Sequence, residues 1–193
     1  MFLPLNNDID KLNIGCGRRP ISGYVNIDKI PGDGVLVYDL EKTRQTPLPF
    51  DDNTFSEMRM SHVIEHIQDV LGMMEELHRV AIPGAVLKIY CPHGASDDAW
   101  EDPTHIRAMF PMSFRYFGQP LYWRADYNYK GDWVIQEIKL HMRKTYKSKE
   151  EAVKASYEMR NTVRSMAVTM IAQKPVRKTL KELQEPLNIV IKS

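Results

Sequence analysis

Cysteine is scarce in this chain, with only Cys16 and Cys91 among 193 residues, so no disulfide framework holds it together and stability must come from a buried core. A reducing compartment is the matching expectation. No stretch approaches the roughly 18 apolar residues of a membrane-spanning helix, and the first ten residues carry neither a basic region nor a long apolar core. Neither secretion nor membrane spanning is therefore expected, and a cytoplasmic setting is. Internal repeats and low-complexity segments are also missing. What remains is ordinary globular composition, 43% hydrophobic and 26% charged, in a length that suits one domain over 1–193.

Net charge is only +1, but it is unevenly spread. Residues 139–181 hold twelve Lys or Arg against the three acids Glu150, Glu151 and Glu158. Such a segment suits either an arm for nucleic acid, anionic glycan or lipid headgroups, or a solvated helix face.

The most informative stretch is 12–28, Leu-Asn-Ile-Gly-Cys-Gly-Arg-Arg-Pro-Ile-Ser-Gly-Tyr-Val-Asn-Ile-Asp. A strand stopping at Gly15-Cys16-Gly17 lets backbone approach a ligand closely, and the acid Asp28 at the tip of the next strand suits a pair of ribose hydroxyls. Downstream stand Asp39, Leu-Pro-Phe-Asp-Asp-Asn-Thr-Phe (48–55), Ser-His-Val-Ile-Glu-His-Ile (61–67), Glu-Leu-His-Arg-Val (76–80) and Pro-Gly-Ala-Val-Leu-Lys-Ile (83–89). In that order these segments resemble the class I S-adenosylmethionine-dependent methyltransferases of the type 11 branch, over roughly residues 11–117. The resemblance implies an α/β, Rossmann-like sheet, mostly parallel, with an antiparallel C-terminal strand. One departure is plain. Asp28 follows Gly17 too closely for a full crossover helix, so the first crossover is clipped or replaced by the Arg-Arg-Pro-Ile-Ser-Gly loop.

Along the chain, 12–14, 24–27, 35–38 and 58–60 read as strands, 69–81 as an amphipathic helix ended by Pro83-Gly84, and 85–91 as a buried strand. Strands alternating with helices predict parallel units and a sheet covered on both faces. Residues 92–133 lack periodicity but carry ten aromatics, which predicts a substrate lid. Residues 134–142 alternate with Val134, Ile138, Leu140 and Met142 inward. Ser148 and Glu151 form a capping box, predicting an inserted basic helix over 148–172 with Val153, Tyr157, Val163, Ala167 and Met170 on one side. Residues 187–191 read as the last strand, taken by resemblance as the antiparallel one inside the sheet.

The resemblance also implies site roles. Gly15, Cys16 and Gly17 admit the methionine moiety, Asp28 takes the ribose, Asp39 the adenine amine, Ile30 and Leu40 flank the adenine, and Ser61 with His62 lies beside the transferring methyl. Cofactor and product would be S-adenosylmethionine and S-adenosylhomocysteine. Arg18 and Arg19 suit a carboxylate or stay in solvent. His62-Val-Ile-Glu65-His66 matches the H-x-x-E-H zinc pattern, yet it begins at a strand end, so no metal is expected and Glu65 and His66 are expected to orient the loop or line the pocket. In Asp102-Pro-Thr-His105-Ile-Arg107, part of the expected acceptor wall, His105 is the first candidate for general base and His93 the second, with Asp102 beside them.

The leading expectation is methyl transfer to O or N of a small-molecule or sugar-containing acceptor, which an aromatic lid suits. Two others stand beside it: a nucleic-acid methyltransferase using 139–181, disfavoured because no Asn-Pro-Pro-Tyr-like signature follows strand four, and a non-catalytic binding module with the same fold.

Overall fold

The computed structural model describes residues 9–192, with one sheet of eight strands. β1 (Lys11–Ile14), β2 (Val25–Asp28), β3 (Val35–Val37), β4 (Phe55–Ser61), β5 (Ala81–Pro92), β6 (Trp133–Met142), β7 (Val163–Ala172) and β8 (Ile189–Lys192) lie in the order β3-β2-β1-β4-β5-β7-β6-β8. Every neighbouring pair is parallel except the two made by β7, which runs antiparallel between β5 and β6. The expected mixed α/β sheet is therefore present, but its antiparallel strand is β7 and not 187–191. β8 sits at the edge, parallel to β6.

The 148–172 helix is corrected accordingly. α2 (Lys149–Glu158) is capped by Ser148, whose hydroxyl accepts from the Glu151 amide, and ends where Met159 turns extended. Asn161 then takes a left-handed φ of 59°, and β7 follows. α2 buries Ala152 and Ala155, while Tyr157 is 70% exposed. In β7 the core side chains are Met166, Val168, Met170 and Ala172, a period of two. β6 has a register shift between Ile135 and Glu137, so Trp133 is buried and Val134 is only half-buried.

α1 (Val70–Val80) forms as expected. The Asp69 carboxylate accepts from the Gly72 amide at 2.9 Å, and Val70, Met73, Met74, Leu77 and Val80 are buried. The helix ends at Val80, before Pro83-Gly84, because Ala81 is already extended and paired with Phe55.

The register aligns Ile14, Met60, Ile89, Val168 and Ile138 in one row, each at most 1% exposed. The adjacent row on the opposite face reads Asn13, Arg59, Lys88, Thr169 and Glu137. Two-sided coverage is thus not what forms: one face is core, and the other meets solvent over much of its width. The short connections 15–24 and 29–34 contain no helix that could cover it.

Asn26 holds the first of these connections down. Its Oδ1 accepts from Asn13 Nδ2 (2.8 Å) and the Ile21 amide (2.7 Å), and its Nδ2 donates to the carbonyls of Ile21 and Tyr24, both 3.0 Å. On the core side, the second half of 92–133 packs beside α1. Phe114, Phe117, Tyr122, Tyr129 and Trp133 are buried, and Trp133 Nε1 donates to the Met74 carbonyl. Asp132, fully buried, accepts from Arg177 through its amide, Nε and Nη2.

Asn26→Ala leaves the Ile21 amide and the Asn13 amide unpaired, and should lower stability by about 2–3 kcal/mol in urea unfolding. Burial lowers the pKa of His78, whose Nε2 lies 3.2 Å from the Gln173 carbonyl, and of His93, from the ordinary 6.5. The unfolded chain therefore binds protons that the folded chain refuses, and stability should fall as pH drops below about 6.5 and level off beneath the folded values. Urea midpoints measured from pH 8 to pH 5 should show this decline, and His78→Gln should flatten it.

Candidate active site

At the C-terminal tips of β1 and β2 the chain makes two left-handed turns, Gly15 at φ 62° and Gly17 at φ 55°. A Cβ on Gly15 would run into the Val63 side chain, so only glycine fits. The Gly17 amide donates to Asp28 Oδ2 at 2.7 Å, and the Ile30 amide donates to Oδ1 at 2.9 Å. One carboxylate thereby fixes the turn after β1 and the turn after β2. Asp39 follows β3 and accepts from the Glu41 amide at 3.2 Å, capping a 3-10 turn over Leu40–Lys42.

These residues border a cavity of about 420 Å³. Gly15, Gly17, Asp28, Ile30, Asp39, Leu40 and His62 all line it. Cys16 is buried beside it, and Ser61 is committed to pairing with Tyr90, so neither is on the wall. Arg18 and Arg19 are exposed and outside it. Lys29, Tyr38, Glu41, Val63, Ile67 and Thr104 line it without any signal of their own in the sequence, because they are loop neighbours of the motif residues.

The far wall is built at the tip of β4. His62 takes a left-handed φ of 55°, a conformation that costs a non-glycine residue about 1–2 kcal/mol, and its amide still donates to the Tyr90 carbonyl. The turn Ile64–His66 that follows is clamped to the segment carrying His105. The Ile106 amide donates to the Glu65 carbonyl at 3.0 Å, and Arg107 Nη2 donates to the carbonyls of Ile67 and Gln68. Four rings and acids converge here. His66 and His105 meet edge to face at 4.7 Å, and Glu65 lies between His62 and His105.

A second cavity of about 620 Å³ is bordered by His93, Trp100, Phe110, Met112, Tyr157 and Met159. Trp100, Met112, Tyr157 and Met159 are more than half exposed. Single exposed apolar residues are common, but four around one concavity mark a binding surface. Of the aromatics of 92–133, then, Trp100 and Phe110 line the open cleft, Phe114, Phe117, Tyr122, Tyr129 and Trp133 are core, and Tyr116, Trp123 and Tyr127 are exposed elsewhere.

The three catalytic candidates differ in what they offer. His93 is buried, edge-on to Phe110, and its Nδ1 accepts from the Ala95 amide at 3.3 Å, so its Nε2 carries the proton and is a donor. Asp102 accepts from the amide and hydroxyl of Thr104, which hold its carboxyl below the ordinary value. His105 is nearly buried, with Nδ1 3.2 Å from the Ala99 carbonyl and Nε2 turned toward Glu65 and Asp102 at 4.0 and 3.8 Å.

Residues 27–89 match a family model described as a methyltransferase domain, type 11. No curated protein matches the chain by sequence. A SAM-dependent methyltransferase from Archaeoglobus fulgidus superposes with a TM-score of 0.54 at 14% identity, over 83% of this chain and 85% of that one. The YcgJ protein of Bacillus subtilis gives 0.54 at 12%, over 85% and 92%. The [4+2]-cyclase SpnF gives 0.50 at 15%, over 88% and 76%. A protein named for a cyclisation shares the fold, so the reaction has to be argued from the site. Residues 27–89 thus resemble a methyltransferase domain, and the sheet as a whole has the α/β fold of the SAM-dependent methyltransferases it superposes on.

Proposed function

We propose that this chain is an S-adenosylmethionine-dependent methyltransferase that methylates O or N of a small, ring-bearing or sugar-containing acceptor. The observation that carries the proposal is the presence of two cavities, one lined by Gly15, Gly17, Asp28, Asp39 and His66 and the other by His93, Trp100, Phe110 and Tyr157, linked through the contacts of His105 with His66 and with the Ala99 carbonyl. Both have the volume of small-molecule sites, about 300–1,000 Å³. Methyl transfer from a sulfonium is an in-line displacement, and a separate pocket for each of its two reactants serves to position them.

Asp28 is prepared for ribose. Each oxygen takes one backbone amide, and an ionised carboxylate has about four acceptor positions, so two stay free for hydroxyl groups. The exposed aromatic and thioether side chains of the second cavity favour an acceptor with an apolar or ring face. The proton released by the acceptor has to leave near the wall. His93 presents an N–H there and Asp102 is exposed and already bonded, which leaves the Glu65, His66 and His105 cluster.

The nucleic-acid alternative draws less support from charge than the count of basic residues suggests, since five of the twelve in 139–181 lie within 3.1 Å of an acid. Arg143 and Arg164 pair with Asp98, Arg160 with Asp97, Arg177 with Asp132 and Lys139 with Glu137. Much of the basic segment is neutralised within the fold. Long-range attraction of a polyanion needs uncompensated charge.

Calorimetric titration with S-adenosylmethionine and S-adenosylhomocysteine should give micromolar binding to the wild type. Asp28→Ala should weaken it about 10- to 100-fold, the equivalent of roughly 1.5–3 kcal/mol for a charge-assisted bond. Circular dichroism of the variant separates lost binding from lost fold. No binding by the folded wild type would overturn the proposal.

A further inference from the structure

Glu65 is a buried carboxylate without a hydrogen bond. Its side chain is 2% exposed and neither oxygen has a hydrogen-bond partner, although His62 Nδ1 lies 3.3 Å and His105 Nε2 4.0 Å from Oε1. Burying an acid this way is costly unless something of opposite charge completes it. The imidazoles around it are already turned for such a partner. His66 Nδ1 lies 3.2 Å from the Thr104 carbonyl, and His105 Nδ1 lies 3.2 Å from the Ala99 carbonyl. A carbonyl oxygen only accepts, so Nδ1 carries the proton in each ring and, in the neutral form, Nε2 keeps the lone pair. Histidines that bind metal are oriented by the same outer contact. One ligand atom from each of Glu65, His66 and His105 lies within 4.8 Å of the other two.

We propose that Glu65, His66 and His105, with His62 at the rim, hold a divalent first-row transition cation such as Zn²⁺, Mn²⁺ or Co²⁺. Two imidazole nitrogens and a carboxylate oxygen suit these ions, whereas Mg²⁺ and Ca²⁺ favour sites built from oxygen. The H-x-x-E-H spacing was too little to indicate this, since a third protein ligand was lacking. The fold supplies it, because the clamp between Ile106 and Glu65 brings His105 against the turn.

The cation's role rests on the proposed methyl transfer, while its binding does not. His62 and His66 border the cofactor cavity, and His105 is bonded to Ala99, next to Trp100 of the acceptor cleft. An acceptor hydroxyl bound to the cation is more acidic and loses its proton to water. Its oxygen then forms a bond to the methyl carbon, the carbon–sulfur bond breaks, and the bonding pair stays on sulfur as the thioether.

Chelator-treated protein is titrated with Co²⁺, reading visible absorption and heat. One equivalent per chain is expected, with Glu65→Gln and His105→Asn each weakening it by at least about 10-fold and His141→Asn leaving it unchanged. Melting supplies a second readout. Without metal, Glu65→Gln should melt at or above the wild type, since it removes an uncompensated charge, and Co²⁺ should raise the melting temperature of the wild type alone. No band, heat or melting shift with Co²⁺, Mn²⁺ or Zn²⁺ would overturn the site, as would equal weakening by His141→Asn. S-adenosylmethionine is titrated into the same samples: cofactor binding without cation binding defeats the cation site alone, and cation binding without cofactor binding defeats the methyltransferase proposal while leaving the site standing.

Discussion

The geometry of the whole cofactor side depends on one amide, the side chain of Asn26. A class I sheet ordinarily sets its first glycine turn by running the chain into a helix. Here no helix exists between β1 and β2, and four hydrogen bonds from Asn26 to Asn13, Ile21 and Tyr24 fix the loop in its place. With the loop pinned, Gly17 can reach Asp28, and the turn after β1 is locked to the tip of β2. A buried polar network of this kind is useful because every member is satisfied.

Much of this was legible from the residues. The first four strands and α1 carry short, unambiguous apolar patterns, and seven of the residues named for the cofactor pocket line the cavity because they follow strand tips. Cys16 and Ser61 lie off the wall because alternate residues at a strand end point away from each other. β7 was misread for a physical reason: Val163, Ala167 and Met170 are four and three apart, a spacing that gathers them on one side of a helix, whereas a strand sends Ala167 and Met170 to opposite faces. The Val-, Thr- and Ile-rich composition of 163–171 was the better guide. His105 could not be joined to Glu65 from sequence, since their meeting depends on a loop crossing back over the β4 tip.

The sheet's uncovered face carries charge where other sheets of this kind carry apolar side chains. Where helices would bury apolar side chains, this chain places Arg59, Lys88, Glu137 and Lys139 in rows, with Lys88 paired to Glu57 and Lys139 to Glu137. Glu57 also accepts from Tyr24 at 2.6 Å, tying the replacement loop to the solvated face. Charge and tyrosine on this side stand in place of an apolar surface that would favour association.

The clamp between 64–68 and 104–107 has a consequence for the order of events. Its residues His66, Ile67 and Thr104 line one cavity, and His105, edge-on to His66 and bonded to the Ala99 carbonyl beside Trp100, carries the seam toward the other. Any ligand that tightens this seam from one side tightens it for a ligand on the other, and thermodynamic linkage makes the effect mutual. Two ligands that each tighten the seam would therefore bind cooperatively, with the first to arrive preparing the bed of the second.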